Sequence, residues 1–312
     1  MRRIENIAII GVGALGVMYG WQLTKKLGWD NVCFVADKRR ITAYETQGVF
    51  CNDERCKLRW VEGTKPDRSY DLIVFAVKFT GLDAAVKMAS DFCHKDTIFL
   101  SVLNGIASEQ IIGDALGAEH LLYCVVHGMD ATRNGNQIRY QNMGTVVLGD
   151  KDNRMTEDVQ AVSDLLSKAE IAHQIPEDIR LKMWSKLMLN TGVNQVTAVF
   201  GMRYAGIQKE GAARKMMIEA MKEVQAVAAC EGIILTDGDV EQWLRVLNGL
   251  DPEGLTSLYQ DILAQRPTEV EIFSGTIRKL GKKYGVPTPV NDYLYDEIKR
   301  LEGQGGALAS TP

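Results

Sequence analysis

The sequence predicts an α/β Rossmann-like N-terminal domain with a mostly parallel sheet, followed by an all-α C-terminal domain. Three observations predict it. Apolar strand-like runs alternate with helical stretches from Ile4 to Ile175, as in a doubly wound sheet. A Gly-x-Gly-x-x-Gly loop, Gly11 to Gly16, joins the first run to the first helix. After Pro176 no convincing strand remains, and each periodic stretch is helical. The expected organisation is therefore residues 1–176, residues 177–302, and a Gly-rich tail at 303–312 expected to be disordered.

Residues 4–10 read as a buried strand entering Gly11-Val12-Gly13-Ala14-Leu15-Gly16, with a helix to about Leu27. Asn31–Ala36 is a second strand, ending at Asp37. The distance from Gly16 to Asp37 is that of a dinucleotide-binding fingerprint. The first glycine permits the tight turn, the second lets a pyrophosphate approach the backbone, and the third lets the helix pack on the strand. Ala14 and Leu15 open that helix, whose free N–H groups suit phosphate. Strands are expected at Asp71–Val77, Thr97–Val102, Leu121–Val126, Thr145–Leu148 and Ala172–Ile175. Helices are expected at Gly81–Phe92, Ser108–Leu116 and Glu157–Ala169, and Gly135-Asn136 reads as a hairpin turn.

The second domain opens on Asp178 to Phe200. Apolar residues Ile179, Met183, Trp184, Leu187 and Met188 recur at helical spacing, while Lys182, Lys186, Asn190 and Asn194 follow one another at i, i+4. This polar stripe suits either water or a bound polar molecule. Asn is a poor helix former, so two of them mid-helix favour the bound molecule. Further helices are expected at Glu210–Glu231, Asp239–Leu247, Thr256–Ala264, Pro267–Tyr284 and Val290–Leu301. Met216, Met217 and Met221 read as core or as a homodimer contact.

Composition narrows the function. The chain of 312 residues is 46% hydrophobic and 24% charged, ordinary values for two globular domains. A net charge of −4 gives no basic footprint for nucleic acid, and no apolar run reaches membrane-spanning length. No signal peptide is expected. Six scattered cysteines, with only Cys51 and Cys56 close together, suggest reduced thiols in the cytoplasm and no metal set.

A dinucleotide fold suggests hydride transfer. Reducing a ketone leaves an alkoxide, which a partly desolvated lysine can neutralise and protonate. Lys186 suits that role. Lys78 and Asn104 lie just past two strands, at the carboxyl edge where ligands bind in such folds. Taken alone, Lys78 is better read as a surface lysine. Ser257 and Asp261 share a helix face, and Glu269 follows. Alone they read as a surface hydroxyl and a first-turn acid.

Several motifs in order carry a resemblance: GVGALG at Gly11–Gly16, Val77-Lys78, Leu103–Gly105, HGMDATRNG at His127–Gly135, Trp184–Ala198 and Ser257–Gly275. From Ile4 to about Leu301 the sequence resembles the ketopantoate reductase family (2-dehydropantoate 2-reductases). The resemblance implies a Rossmann domain followed by an all-α domain like the C-terminal domain of 6-phosphogluconate dehydrogenase. It implies that Lys186 is the general acid and that Glu269 binds substrate and positions the lysine. It further implies that Asn190, Asn194 and Ser257 contact a small 2-oxo acid, and that Lys78 and Asn104 lie near nicotinamide and substrate. Asp261 would be structural support.

This chain departs from the family pattern at Gln195, Gly254, Ser274 and Gly81, where Pro, Asn, Asn and Gln are usual. The departures leave the general acid intact and widen the choice of branched 2-oxo acid. At the cofactor end, Asp37 favours a free ribose, while Lys38, Arg39 and Arg40 favour the 2′-phosphate. The expectation is NADP(H), with NAD(H) open. Three functions follow: reduction of 2-dehydropantoate, reduction of another branched 2-oxo acid, and non-catalytic nucleotide binding.

Overall fold

The computed structural model describes residues 2–308. Its contacts divide the chain into two compact units, Met1–Lys182 and Met183–Pro312.

In the first unit, β1 (Ile7–Ile10) enters the glycine loop and α1 (Ala14–Leu27), and β2 (Val32–Ala36) leads into α2 (Lys38–Gln47). Three short strands follow: β3 (Phe50–Cys51), β4 (Glu54–Arg55) and β5 (Arg59–Glu62). The alternation resumes with β6 (Leu72–Phe75), α3 (Leu82–Ala89), β7 (Ile98–Ser101), α4 (Ser108–Leu116) and β8 (Leu121–Met129). Then come β9 (Thr132–Asn134), β10 (Gln137–Arg139), β11 (Met143–Gly149), α5 (Glu157–Lys168) and β12 (His173–Gln174).

Eight strands form one sheet, ordered β12-β11-β8-β7-β6-β1-β2-β5. From β5 across to β8 the pairing is parallel, and β11 runs antiparallel to β8. Strands β1, β2, β6 and β7 are buried at each position, which accounts for their apolar sequences, broken only by Ser101 at the end of β7. Successive residues serve opposite faces. Ile7, Ile9, Phe34 and Val74 join Val17 and Met18 of α1 and Val162 of α5. Ala8, Ile10, Val35 and Phe75 join Leu82 and Val86 of α3 and Ile112 of α4.

Strand order reverses between β1 and β6. Ile10 lies opposite both Val35 and Phe75, and Phe75 lies opposite Ser101. The chain therefore leaves β1, β2, β6 and β7 at one edge, the place where such sheets receive ligands.

A second, four-stranded sheet, β4-β3-β10-β9, joins the residue-50 region to the expected hairpin. Asn134 pairs with Gln137 around Gly135, whose φ of +60° suits the turn. Segment 38–62 had no expected elements. None of the α2 residues is buried, so its sequence lacks an apolar stripe, and β3 and β4 are two residues each, too short for alternation to register.

The helical unit contains the rest of α6 (Ile179–Val199), then α7 (Tyr204–Gln208), α8 (Ala212–Cys230), α9 (Asp237–Asn248), α10 (Ser257–Leu263), α11 (Ser274–Tyr284) and α12 (Pro289–Leu308). Helices α8, α11 and α12 pack together, and Met217, Met221, Val224, Phe273, Ile277, Leu294 and Ile298 are buried. Met217 and Met221 are thus core residues.

One expected helix is corrected. Pro267–Tyr284 is not continuous: a 3-10 turn spans Val270–Ile272, and α11 starts only at Ser274. Val270, Ile272 and Phe273 are all buried, a spacing that one helix stripe cannot bury, and Phe273 breaks the backbone at φ −104°, ψ −102°. Glu269 precedes that turn instead of opening a helix. Helix α11 ends at Gly285 in the left-handed conformation, its N–H donating to the Gly281 carbonyl. Of the tail expected at 303–312, the first part falls within α12, and residues 309–312 lie outside the described residues. Among the described residues no helix is long and apolar enough to cross a membrane.

Candidate functional site

The glycine loop is closely packed where it meets β6. A Cβ on Gly11, which has φ +121°, would stand 2.4 Å from the Ala76 carbonyl oxygen, and one on Gly16 would stand 2.1 Å from the Gly11 carbonyl oxygen. Gly13 differs: its Cβ would meet nothing nearer than 3.6 Å, so the backbone is bare and approachable. Gly13 is also the N-cap of α1, and no side chain caps that end. Ala14, Leu15 and Gly16 form the first turn, where uncapped amides and the helix dipole favour an anion. The bare Gly13 and the open amides suit a dinucleotide pyrophosphate.

Lys78 and Asn104 follow β6 and β7 at the same sheet edge; Lys78 is exposed and Asn104 half-buried. Asp37 follows β2 and caps α2, accepting from the Arg40 backbone N–H at 2.9 Å, with the Arg40 guanidinium 3.3 Å away. Lys38, Arg39 and Arg40 occupy the first turn of α2, which holds no acidic residue.

Beneath the Asn104 loop lies a buried acid that the sequence did not single out. Ser108 Oγ donates to Glu109 Oε2 at 3.0 Å, and Ser101 Oγ donates to Ser108 Oγ at 2.8 Å. The Leu103 backbone N–H donates to Ser101 Oγ at 3.3 Å, one residue before Asn104. Burial pushes the Glu109 carboxyl up to about 7. One charged residue in an ordinary helix pattern carries no sequence signal for this.

In the helical unit, Lys186, Asn190 and Asn194 lie on α6 at successive four-residue spacings, and so on one face. Lys186 and Asn194 are half-buried and Asn190 is buried. Three polar tethers fix α6 beside these positions. Trp243 Nε1 of α9 donates to Ser185 Oγ at 2.9 Å. Thr197 Oγ1 and Thr256 Oγ1 are 2.7 Å apart, and Thr256 caps α10 directly before the exposed Ser257. Gln195 Oε1 accepts from the Ser274 backbone N–H at 3.2 Å and from Ser274 Oγ, while its amide donates to the Thr191 carbonyl at 2.7 Å. Gln195 and Ser274 are two of the four departures from the family pattern. They are fully buried and bonded to each other in the packing between α6 and α11.

Asp261 is buried and pairs with Arg266 at 2.8 Å. Glu269 is half-buried between Arg266 and the 3-10 turn. His127 lies in β8 opposite Thr145. Among the described residues no group of three or more His, Cys, Asp or Glu is placed to hold a metal ion.

Residues 7–153 match the family model described as ketopantoate reductase PanE/ApbA, and residues 178–302 match its C-terminal model. The chain is 26% identical to a 2-dehydropantoate 2-reductase of Pyrococcus horikoshii, over 96% of this chain and 99% of that one. It is 27% identical to one of Pyrobaculum aerophilum, over 95% and 98%. Among solved structures, D-mandelate dehydrogenase with NADH and anilino(oxo)acetate superposes with a TM-score of 0.85 at 26% identity, covering 96% of this chain and 99% of that one. A ketopantoate reductase of Ralstonia eutropha shares the fold at 24% identity and TM-score 0.85, with the same coverage.

Proposed function

The chain belongs to the ketopantoate reductase family, and on that premise we propose that it is an NADPH-dependent reductase of 2-dehydropantoate to pantoate. In this reading residues 1–176 bind the nucleotide and residues 177–302 supply the substrate and acid groups. The observation that supports it most is the run of Lys186, Asn190 and Asn194 on one face of an unbroken helix.

Bound NADPH supplies a hydride to the keto carbon. The protein's own part is electrostatic and acid–base. The Lys186 ammonium hydrogen-bonds the keto oxygen, stabilises the charge that grows there, and gives up a proton to complete the alcohol. Glu269 holds that ammonium and accepts from the substrate. Asn190, Asn194 and Ser257 orient the acid through amide and hydroxyl hydrogen bonds. In the first unit, Gly11 to Gly16 receive the pyrophosphate, with Lys78 and Asn104 near the nicotinamide.

The preference for NADPH rests on α2. Three cations in its first turn face the positive end of the helix dipole, an arrangement that an added phosphate would relieve. Asp37, the group that would repel a phosphate, has Arg40 beside it. A second reading, NADH with another 2-oxo acid, draws on the D-mandelate dehydrogenase likeness and on Gly254, where the family usually has a substrate-contacting Asn.

The test is a panel of 2-oxo acids, 2-dehydropantoate included, assayed with NADPH and NADH and scored by kcat/KM. 2-Dehydropantoate with NADPH should lead. Another acid in the lead would select the second reading. Lys186→Ala should lower kcat roughly 10²–10⁴-fold while NADPH still binds; unchanged turnover would remove the lysine from the chemistry.

A further inference from the structure

Strand β9 and the start of its turn at Gly135 belong to the motif His127–Gly135, which the proposed function leaves unused. Its Arg133 reaches the glycine loop. Arg133 Nη1 donates to the Val12 carbonyl oxygen, in the loop between β1 and α1. The same guanidinium donates from Nε to the Gly135 carbonyl at 2.7 Å, which fixes it to its own turn. Its Nη2 donates to the Tyr44 hydroxyl at 3.4 Å, with the guanidinium carbon 5.8 Å from the Tyr44 ring centre. Tyr44 lies on α2 and stacks on Trp60 of β5, with ring centres 5.2 Å apart and planes 19° apart. One side chain therefore ties the glycine loop to α2, the two segments that the dinucleotide fingerprint joins.

The contact with Val12 has a directional consequence. The peptide from Val12 to Gly13 is planar and trans, so its C=O and N–H point in opposite directions. Holding the Val12 oxygen toward Arg133 turns the Gly13 N–H the other way. It also takes up a carbonyl that would otherwise repel a phosphate if it swung toward the ligand. Gly13 has no side chain to fix this plane for itself.

We propose that Arg133 is a positioning residue for the nicotinamide nucleotide, acting through the Val12–Gly13 peptide to present the Gly13 amide to the pyrophosphate. This rests on the reading of Gly11 to Gly16 as the nucleotide site.

Isothermal titration of wild type, Arg133→Lys and Arg133→Ala with NADPH tests it. Loss of the brace should weaken NADPH about tenfold in Arg133→Ala, with Arg133→Lys in between because a lysine restores one donor. At saturating NADPH, kcat and the KM for the 2-oxo acid should stay within about twofold of wild type. A merely structural arginine would lower the nucleotide-free melting temperature and leave the dissociation constant alone, and that result would overturn the proposal. So would an equal loss in kcat and in affinity. If Arg133→Ala fails to fold, the lysine variant decides: NADPH affinity equal to wild type overturns the proposal, and weakened affinity at unchanged kcat supports it. A wild-type chain that binds neither NADPH nor NADH would instead remove the nucleotide reading beneath it.

Discussion

Glu109 shows how one buried side chain can tie pH to stability. Its folded carboxyl titrates at about 7 against an ordinary 4.5, because burial penalises the charged form. The folded chain thus holds this proton more tightly than the unfolded chain does. The contribution is fully present below 4.5 and is lost as pH rises toward 7, by roughly 3 kcal/mol in all. Burial, and to a lesser degree the Glu109 charge, raise the Tyr123 hydroxyl above the ordinary tyrosine range. Glu109→Gln keeps the volume and an acceptor for Ser108 but cannot ionise. Urea denaturation between pH 5 and 8 should show the wild type losing stability relative to this variant. Parallel curves would assign the pH slope to other groups. The chain of hydroxyls from Glu109 ends at Leu103, so deprotonation would be felt next to Asn104.

At the scale of elements, α6 organises the helical unit through groups that neighbour its polar face. Gln195 is the most demanding of these, since its truncation would leave the Ser274 N–H and hydroxyl without their acceptor in a fully buried place. Gln195→Ala should cost about 2–4 kcal/mol, combining a cavity with orphaned polar groups. Ser274→Ala, which removes one hydroxyl and keeps the backbone bond, should cost about 1 kcal/mol. Urea midpoints measure both, and equal losses would mean that the pair does not act as drawn. A smaller loss, about 1 kcal/mol, is expected from Thr236→Ala, because Thr236 and Asp239 form a capping box at α9. The longer helices were readable from apolar spacing, and the five-residue α7 was not. The break at Phe273 was not, because Pro267–Tyr284 is amphipathic on average and the turn is set by three buried side chains close together. Nor was the Gln195–Ser274 contact, since residues far apart in sequence reveal a partnership only once they are packed.

For the molecule as a whole, the mostly parallel sheet and its ligand edge were legible, because β1, β2, β6 and β7 are largely apolar runs and Gly11 and Gly16 have steric reasons to be glycine. Of the second sheet only the hairpin at Gly135-Asn136 was legible: its strands are two or three residues long and one pairing joins distant segments. The polar stripe on α6 could be placed on one face from sequence alone, whereas the Glu109 and Arg133 contacts could not. NADPH at a hundred times its dissociation constant should stabilise the chain by about 2.7 kcal/mol, read as a higher unfolding midpoint, with NADH giving less at the same concentration. A larger gain from NADH would reverse the cofactor preference. The short-stranded sheet carries one more consequence. Cys51 and Ile138 form part of a ladder too brief to resist sub-global opening for long, so their amides should exchange with deuterium sooner than those of β1 or β6. Because Arg133 rides on that ladder, a nucleotide bound to the glycine loop should slow the exchange there, at a distance from any atom that it touches.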